Sequence, residues 1–260
     1  MLKRSKKQAI DGARVVPKMV TVSVGERTTP LAGPGSSCDN PSAGSEWLVW
    51  QMVDSAFPTG GFAHSSGLEA AWQQGEVRGR DELVSFVEAS LDQLGHAGLP
   101  FVLAAFDQPE RLLEMDNLCN AFTINHVANR ASRAQGRAFL AAVERIFKGQ
   151  IEPQPTGETS TFGHFAPVFG ACARRLGLLR ETTGRMYFFN QLRGLLAAAV
   201  RLNIVGPLEA QTLTRQLFSK MEDILTDCSK LTLDEIGQTA PLLDLWQGAH
   251  DRLYSRLFQS

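Results

Sequence analysis

Apolar residues recur every three or four positions through almost the whole chain after residue 46, and this spacing limits the fold more than any other feature. Such spacing places apolar side chains on one side of an α-helix and polar side chains on the other. Alternation typical of a β-strand occurs only at 20–24, and no repeat of fixed period is present. The pattern therefore predicts an all-α protein, a single-domain helical bundle of about eight to ten helices.

Three helices can be located individually from this pattern. The stretches 79–95, 125–147 and 182–205 each carry apolar residues at helical spacing, and 182–205 is apolar almost all round. Because a helix with no polar side belongs in the interior, we expect 182–205 at the centre of the bundle.

Two prolines mark the starts of further helices. Proline is tolerated in the first turn because an N–H there has no acceptor within the helix. We expect one helix from Pro207 through Leu225 and a last helix from Pro241 through Leu257. Both would pack around the central helix.

The first 45 residues differ in composition from the rest. Residues 1–27 hold seven Lys or Arg and two Asp or Glu, and 30–45 is mostly Gly, Ser, Pro and Ala. A segment with so little apolar surface cannot offset the entropy that it loses on ordering. We predict a disordered Gly/Ser/Pro-rich tail over 1–45 and an all-helical domain over 46–260. A transit peptide is the alternative interpretation of the basic start.

Composition and charge exclude several classes of function. The chain has 26 Lys and Arg against 27 Asp and Glu, a formal net charge of −1, whereas a dedicated nucleic-acid binder usually has a basic excess. No apolar run reaches the roughly 18–20 residues that a membrane span needs. The start of the chain lacks the apolar stretch of a secretion signal, so we expect a cytoplasmic protein.

Motifs for catalysis and for metal or cofactor binding are missing from the sequence. There is no phosphate-binding loop GxxxxGK(S/T), no GxGxxG, no HExxH and no GxSxG. No cysteines form a CxxC pair, and no histidines are three or four residues apart. We expect no enzymatic activity, no catalytic residues, no metal ligands and no cofactor.

The stretch Phe57-Pro-Thr-Gly-Gly-Phe-Ala-His-Ser-Ser-Gly-Leu-Glu69 interrupts the helical pattern. Its proline restricts its own φ, and its two adjacent glycines permit positive φ or a close approach of the backbone. One interpretation is a well-packed connector between helices, with Ser65 or Ser66 capping the second helix. The other is a fixed loop that presents Phe62 or His64 to a partner.

Three arginines form a row in the stretch 125–147. Arg130, Arg133 and Arg137 lie at i, i+3 and i+7, so their guanidinium groups share one face of one helix. One interpretation is a solvated face paired with glutamates. The other is recognition of an anion or a carboxylate on a partner, of which an arginine finger is a special case.

The stretch His164-Phe-Ala-Pro-Val-Phe-Gly170 precedes the long apolar helix, which itself carries Asn190, Gln191 and Arg193. Polar side chains buried in so apolar a helix must be hydrogen-bonded or lie at an interface. Satisfied core residues and a subunit interface are both open interpretations.

The end of the chain is both basic and apolar, with Arg252, Arg256, Leu257 and Phe258 close together. We predict that this end docks a partner. An ordinary frayed terminus is the alternative.

Together these stretches resemble the UreF family of urease accessory proteins, helical chaperones of nickel-site assembly. The first loop is similar to the family pattern Phe/Leu-Pro-x-Gly-Gly-Phe-x-His/Tyr-Ser-x-Gly-Leu-Glu without a gap. Four later blocks also look like the family, namely Arg130-Ala-Ser-Arg-Ala-Gln-Gly-Arg137, His164-Phe-Ala-Pro-Val-Phe-Gly170, Leu196-Ala-Ala-Ala-Val-Arg-Leu202 and Arg256-Leu-Phe-Gln-Ser260. The resemblance covers about residues 47–260.

The resemblance implies a protein that has no catalysis of its own and pairs as a homodimer. It implies a scaffold that links a UreD/UreH-type accessory protein to a UreG-type GTPase, for nickel insertion into the urease apoprotein, with no nucleic acid or membrane involved. The residues that we expect to contact partners are Phe57, Pro58, Gly60, Gly61, Phe62, His64, Glu69, Arg130, Arg133, Arg137, Arg252, Arg256, Leu257 and Phe258.

Two mechanisms compete within this family assignment. The protein could act as a GTPase-activating protein for UreG by supplying an arginine to the transition state. Alternatively it could be a checkpoint that holds the GTPase in a productive pose and couples hydrolysis to metal release. A row of arginines on a helix favours docking, and so the second mechanism.

Two hypotheses lie outside the family assignment. One is a small-molecule-binding helical enzyme that uses His64, Glu69 and His164 as acid–base groups. The other is a helical transcription or adaptor domain, against which the neutral net charge weighs.

Overall fold

A computed structural model describes residues 41–150 and 162–260 of the protein, and these residues are helical with no β-strand among them. The α-helices are α1 (Pro41–Val53), α2 (Leu68–Gln73), α3 (Arg80–Gln93), α4 (Leu99–Asp107), α5 (Leu112–Phe122), α6 (His126–Ile146), α7 (Phe165–Arg175), α8 (Arg180–Arg201), α9 (Pro207–Gln216), α10 (Phe218–Cys228) and α11 (Pro241–Ala249). The predicted all-α class is confirmed.

Helix α3 passes into α4 through a π-helical turn, Leu94–Gly98, without a break. If α3 and α4 are counted as one rod, the described residues form ten helices, the upper end of the predicted range. None of these helices is both long enough and apolar enough to cross a membrane.

Helix α8 lies at the centre of the bundle, as its apolar composition predicts. It packs against α1, α2, α3, α4, α7, α9 and α10. Phe188, Leu192 and Ala199 are completely buried along its length. One core cluster extends around it, and contact with α8 positions the helices that pack against it.

Helix α7 approaches α4 and α6 closely because glycines stand at both crossings. A Cβ at Gly170 would collide with the carbonyl oxygen of Val102 on α4. A Cβ at Gly136 on α6 would likewise collide with the carbonyl oxygen of Gly163, just before α7. Gly136, which lies next to Arg137, is therefore needed for packing between helices.

The expected single helix after Pro207 is wrong in one respect, because it divides into α9 and α10. The division is at Leu217, where φ is −83° and ψ is −5°. Leu213, Leu217 and Met221 all remain buried across it. Since the apolar spacing continues through the bend, periodicity could not reveal it.

The expected last helix is also too long. Helix α11 starts at Pro241 as predicted but ends at Ala249, followed by the 3-10 turn His250–Arg252 and then by extended backbone at Leu253. Residues 253–260 are non-helical because their polar backbone groups bond to the loop 57–69, as described below.

The predicted tail, residues 1–45, lies almost entirely outside the described residues. Helix α1 begins at Pro41, five residues before the predicted start of the domain. Residues 41–260 form one compact unit.

Candidate partner-binding site

The segment 57–69, called the loop 57–69 below, covers most of the connection between α1 and α2 and the first two residues of α2, and residues with positive φ shape it. Gly60 has φ 72° and Gly67 has φ 87°, which glycine adopts without strain. Ser66 also has a positive φ, of 53°. The residue before α2 is Gly67, and no side chain caps the helix, so the expected serine cap is wrong. The Ser65 hydroxyl instead donates to the carbonyl of Ser260, at 3.1 Å.

Glu69 holds the end of the chain against this loop. The Glu69 side chain is 2% exposed, and its Oε1 accepts the backbone N–H of Leu257 at 2.6 Å. Its Oε2 accepts the N–H of Phe258 at 3.1 Å and lies 3.1 Å from Nε2 of the buried His250. One carboxylate therefore satisfies the donors of a segment that has no helix or strand to satisfy them.

A second set of backbone bonds joins the same two segments. The N–H of Ser65 donates to the carbonyl of Ser260 at 2.6 Å, and the N–H of Gln259 donates to the carbonyl of Ala63 at 2.8 Å. The Nδ1 of His64 lies 2.5 Å from the Ser260 hydroxyl. We call the joined segments 57–69 and 250–260 the clasp.

Arg201, at the end of α8, contacts both segments of the clasp. Its guanidinium lies 4.1 Å from the ring of Phe62 and 4.1 Å from the ring of Phe258, with one ring in each segment. Its Nη1 also donates to the carbonyl of Phe62 at 2.7 Å. Cation–π contacts of this kind favour a guanidinium held between aromatic faces.

The arginine row joins the clasp through Asp251. Arg130 on α6 donates from Nη2 to Oδ1 of Asp251 at 2.8 Å and from Nη1 to Oδ2 at 3.2 Å. His126 and Arg256 also lie close to this carboxylate. The hydrogen bonds from Arg130 and His126 lower the pKa of Asp251 to about 2. Asp251 therefore stays ionised and links α6 to the end of the chain.

The residues just before α7 are fixed by side chains of α5 and α6. The buried carboxylate of Asp116 accepts the N–H groups of Gly163 at 3.0 Å and His164 at 2.7 Å. His164 is completely buried, with Nδ1 3.1 Å from the Ser132 hydroxyl and Nε2 3.2 Å from Oδ1 of Asn120. Two stretches that the sequence analysis singled out separately thus form one junction between α6 and α7.

Burial also changes the titration of two histidines. Desolvation lowers the pKa of His64 below its usual range, and the charges of Arg130 and His250 add to the effect. Desolvation likewise lowers the pKa of His164; the charge of Asp116 opposes this shift, and the charges of Arg133 and Arg137 add to it. Both imidazoles are therefore favoured in the neutral form near pH 7.

A pocket of about 490 Å³ lies between the loop 57–69, α6 and α8. Gln135, Asn190 and Gln191 contribute polar groups to its lining. Asn190 accepts from Arg193 at 3.3 Å, whereas its Nδ2 has no hydrogen-bond partner among the described residues. Arg193 also donates to the carbonyl of Val53. The polar residues of α8 are therefore partly satisfied within the chain and partly turned to this pocket.

The structure divides the predicted contact residues into two groups. Phe57, Glu69 and Phe258 are at most 8% exposed and face other residues of this chain, so in this conformation they shape the surface from beneath. Phe62 is 67% exposed and Leu257 is 52% exposed. The arginines at 130, 137, 252 and 256 are exposed as well. Partner contact by any of the predicted residues, including Pro58, Gly60, Gly61, His64 and Arg133, stays a prediction.

Sequence reasoning did not single out several residues on which the site depends. Asp251 and Asp116 carry no motif that distinguishes them from surface acids, and only their partners in space reveal their roles. Ser260 lies inside a block that resembles the family, and that position was the one available signal.

Exposed apolar side chains continue outward from the clasp. Leu242 and Leu245 on α11 are 58% and 66% exposed, and Tyr254 is fully exposed. Trp72 on α2, which packs against α11, is 40% exposed. Apolar residues that remain open beside arginines are typical of surfaces that contact other proteins. The fold and the site thus define an all-α protein that presents a shaped apolar and basic surface.

Comparison with known proteins agrees with this class. The family model described as UreF matches residues 77–218. Urease accessory protein F of Oryza sativa is 39% identical over 221 residues, 82% of this chain and 85% of that protein. Urease accessory protein F of Arabidopsis thaliana is 38% identical over 242 residues, 90% of this chain and 98% of that protein. An uncharacterized UreF-like urease accessory protein of Schizosaccharomyces pombe is 30% identical over 224 residues, 80% of this chain and 94% of that protein.

The chain therefore belongs to the UreF family of urease accessory proteins.

Proposed function

We propose that the protein is a non-catalytic scaffold that links a UreD/UreH-type accessory protein to a UreG-type GTPase, so that nickel is inserted into the urease apoprotein. It works as a homodimer in the cytoplasm. The nickel ion is the cargo of the assembly, and the UreG-type partner binds and hydrolyses the GTP. The sequence supports this division of labour, since it holds no phosphate-binding loop.

The clasp is the observation that carries the proposal. It fixes the end of the chain with buried polar bonds, and it leaves Tyr254 and Leu257 open beside Arg252 and Arg256. A surface held in one shape loses less conformational entropy when a partner binds. We assign this surface to the UreD/UreH-type partner.

The arginine row favours a checkpoint over a GTPase-activating protein. Arg130 is held by two hydrogen bonds to Asp251, and Arg133 lies over the ring of Phe162 with its Cζ 5.1 Å from the ring centre. An arginine finger has to reach the transferring phosphate of the partner. Arginines held against their own chain suit docking better.

Co-purification of the full chain with both partners tests the scaffold. We expect a ternary complex, and light scattering should give two copies of this chain in it. Deletion from Arg256 onward should abolish capture of the UreD/UreH-type partner. Because the deletion also removes the backbone held by Glu69, Tyr254→Ser with Leu257→Ser is the gentler variant, and Leu208→Ser on α9, 87% exposed, is its control. Equal capture of the UreD/UreH-type partner by the wild type, the Tyr254→Ser, Leu257→Ser double variant and the Leu208→Ser control would contradict the assignment.

Measurement of GTP turnover separates the two mechanisms. If Arg137→Ala weakens assembly and turnover in proportion, docking is the role of the row. If it lowers turnover by a factor of about 10³ while assembly is unchanged, an arginine finger is supported instead.

A small-molecule-binding enzyme is the second candidate, because the 490 Å³ pocket is lined in part by His64. Against this candidate, both oxygens of Glu69 already accept hydrogen bonds from backbone N–H groups or lie next to His250. Glu69 is therefore not free to act as an acid–base group in the pocket. His164 bonds to Ser132 and Asn120, away from His64. A ligand screen by thermal shift on the isolated protein tests this candidate.

A further inference from the structure

We propose that the groove beside α6 binds an acidic segment of a protein partner through Arg133 and Arg137. The groove has a volume of about 670 Å³, and its lining includes Asn120, Ile124, Asn129 and the three arginines of the row, of which Arg130 is paired with Asp251. The inference rests on the proposed scaffold function and names the chemistry of the partner at this site. We call it the basic groove.

Two arginines of the groove have no carboxylate partner among the described residues. Arg133 and Arg137 are absent from every ion pair there, although Arg130, in the same row, is paired. The Nε of Arg133 is buried and has no hydrogen-bond partner among residues 41–150 and 162–260. A guanidinium can hold a carboxylate through two parallel N–H···O bonds, so a carboxylate that enters the groove can pair with either arginine through its terminal nitrogens.

The row already binds one carboxylate. Arg130 and Asp251 form a two-point pair with distances of 2.8 and 3.2 Å, and Asp251 comes from a segment far away in the sequence. Arg133 and Arg137 follow on the same face at helical spacing. The basic groove therefore extends a geometry that this chain itself uses for a carboxylate.

A phosphate is a poorer occupant than a carboxylate. Phosphate sites at helices usually depend on free backbone N–H groups of the first turn. In α6, the Oδ1 of Asn125 already accepts the N–H groups of Val127 at 3.0 Å and Ala128 at 3.2 Å. The groove therefore offers arginine side chains to an anion and not the N–H groups of Val127 and Ala128, on which a helix-type phosphate site would depend.

An apolar side chain should accompany the acids. Ile124 is 86% exposed at the edge of the groove, between α5 and α6. Burial of Ile124 against an apolar residue of the segment would add a hydrophobic contribution to the ion pairs. The expected occupant is a segment with two or more Asp or Glu and an apolar residue beside them.

Fluorescence anisotropy with a short labelled peptide of alternating Glu and Leu tests the inference on the full chain. We expect the wild type to bind it, more weakly as salt rises. The Arg133→Ala, Arg137→Ala double variant should bind about tenfold more weakly or worse. Arg215→Ala, an exposed arginine on α9, should bind within about twofold of wild type. A peptide with Gln in place of Glu should not bind.

Lysine variants keep the test informative if the double alanine variant folds poorly. Arg133→Lys with Arg137→Lys keeps the charge and loses the planar fork, so we expect an intermediate affinity. Equal binding by the wild type and the alanine variant would overturn the inference. So would displacement of the peptide by inorganic phosphate at lower concentration than by succinate, a dicarboxylate of similar charge, which would indicate a phosphate site.

Capture of the two partner proteins separates this inference from the proposed function. If the wild type captures them and the double alanine variant captures them equally well, the basic groove is not their site, although the scaffold function stands. If the wild type captures neither partner, the scaffold function fails, and the peptide titration still decides the chemistry of the groove.

Discussion

The clasp and the outer side of α8 use charged residues in opposite ways. Glu69 in the clasp is 2% exposed and bonds to two backbone N–H groups and a buried histidine. Arg185 on α8 and Glu222 on α10 pair at 2.8 Å, with 53% and 52% of their side chains exposed. Exposed pairs contribute little because water and salt screen them, whereas loss of a buried partner leaves other groups unsatisfied.

The difference shows what each charge does for the fold. Helices α8 and α10 satisfy their own backbone groups, so the pair between them is an addition to a structure that is already complete. The segment 250–260 has little secondary structure after His250–Arg252, and the carboxylate of Glu69 supplies the acceptors that a helix would have supplied. We expect the two regions to respond very differently to matched substitutions.

The largest effect should follow from Glu69→Ala. It removes both acceptor oxygens from buried donors, and we expect the free energy of unfolding to fall by about 3–4 kcal/mol, since hydrogen bonds to a charged group contribute about 1.5–3 kcal/mol each. Urea denaturation measures the change. Glu222→Ala, the matched control on the outer side of α8, should cost less than about 1 kcal/mol.

Limited proteolysis locates the effect of Glu69→Ala. Cleavage should begin after residue 250 in the variant and not in the control. If both variants lose similar stability and the segment 250–260 stays protected, the contrast between the two regions is wrong.

A smaller effect is expected from Arg201→Ala. The change removes a guanidinium held between Phe62 and Phe258, together with its bond to the Phe62 carbonyl. We expect the free energy of unfolding, measured by urea denaturation, to fall by about 2 kcal/mol, near the upper value for a desolvated cation–π contact. Arg201→Lys should restore part of it, because the ammonium keeps the charge but not the planar stacking. No difference between Ala and Lys would exclude a cation–π contribution.

Asp251→Asn should lower the free energy of unfolding by about 1 kcal/mol at neutral pH, because the ion pairs of Asp251 are partly exposed. The pKa of Asp251 is lowered to about 2, below its usual 3.8. A carboxyl with a lowered pKa stabilises the folded state above its unfolded pKa, and the contribution is lost as the pH falls from about 4 through 2. Acid unfolding curves should therefore converge for the variant and the wild type near pH 2. Curves that stay parallel down to that pH would contradict the role of Asp251.

The smallest effect should come from His64→Gln, because one neutral side-chain hydrogen bond contributes about 1 kcal/mol or less. The pKa of His64 is lowered from its usual 6.5 by burial and by nearby positive charge. Its contribution is complete above pH 6.5 and is lost as the pH falls below that value. The wild type should lose more stability than His64→Gln between pH 7 and 5. His126→Gln, whose ring is 70% exposed, is the control.

Local patterns predicted most of the helices but not the segments that bond across the chain. The spacing in 125–147 predicted α6, and Asn125 caps it. The same reasoning extended the last helix to Leu257, where the backbone is not helical. The apolar residues there look periodic, but Glu69, almost two hundred residues earlier, takes their N–H groups. No property of the segment 250–260 alone reports that competition.

The same distinction holds for the candidate site. The arginine row could be read from its spacing, because i, i+3 and i+7 share a face on any helix. The spacing could not show which arginine pairs with a carboxylate, because Asp251 comes close to Arg130 only in the folded chain.

What the sequence by itself determined is the helical class, the central place of α8, the helix starts at Pro207 and Pro241, and the resemblance to the UreF family. These follow from local spacing, from the geometry of proline and from short motifs, which act within a few residues. The tertiary structure alone decided that Glu69, His250 and Phe258 turn inward and that Arg133 and Arg137 have no carboxylate partner within the described part of the chain. Those outcomes depend on which distant groups meet once the core has packed, because buried polar groups take whatever partner the fold brings within hydrogen-bond distance.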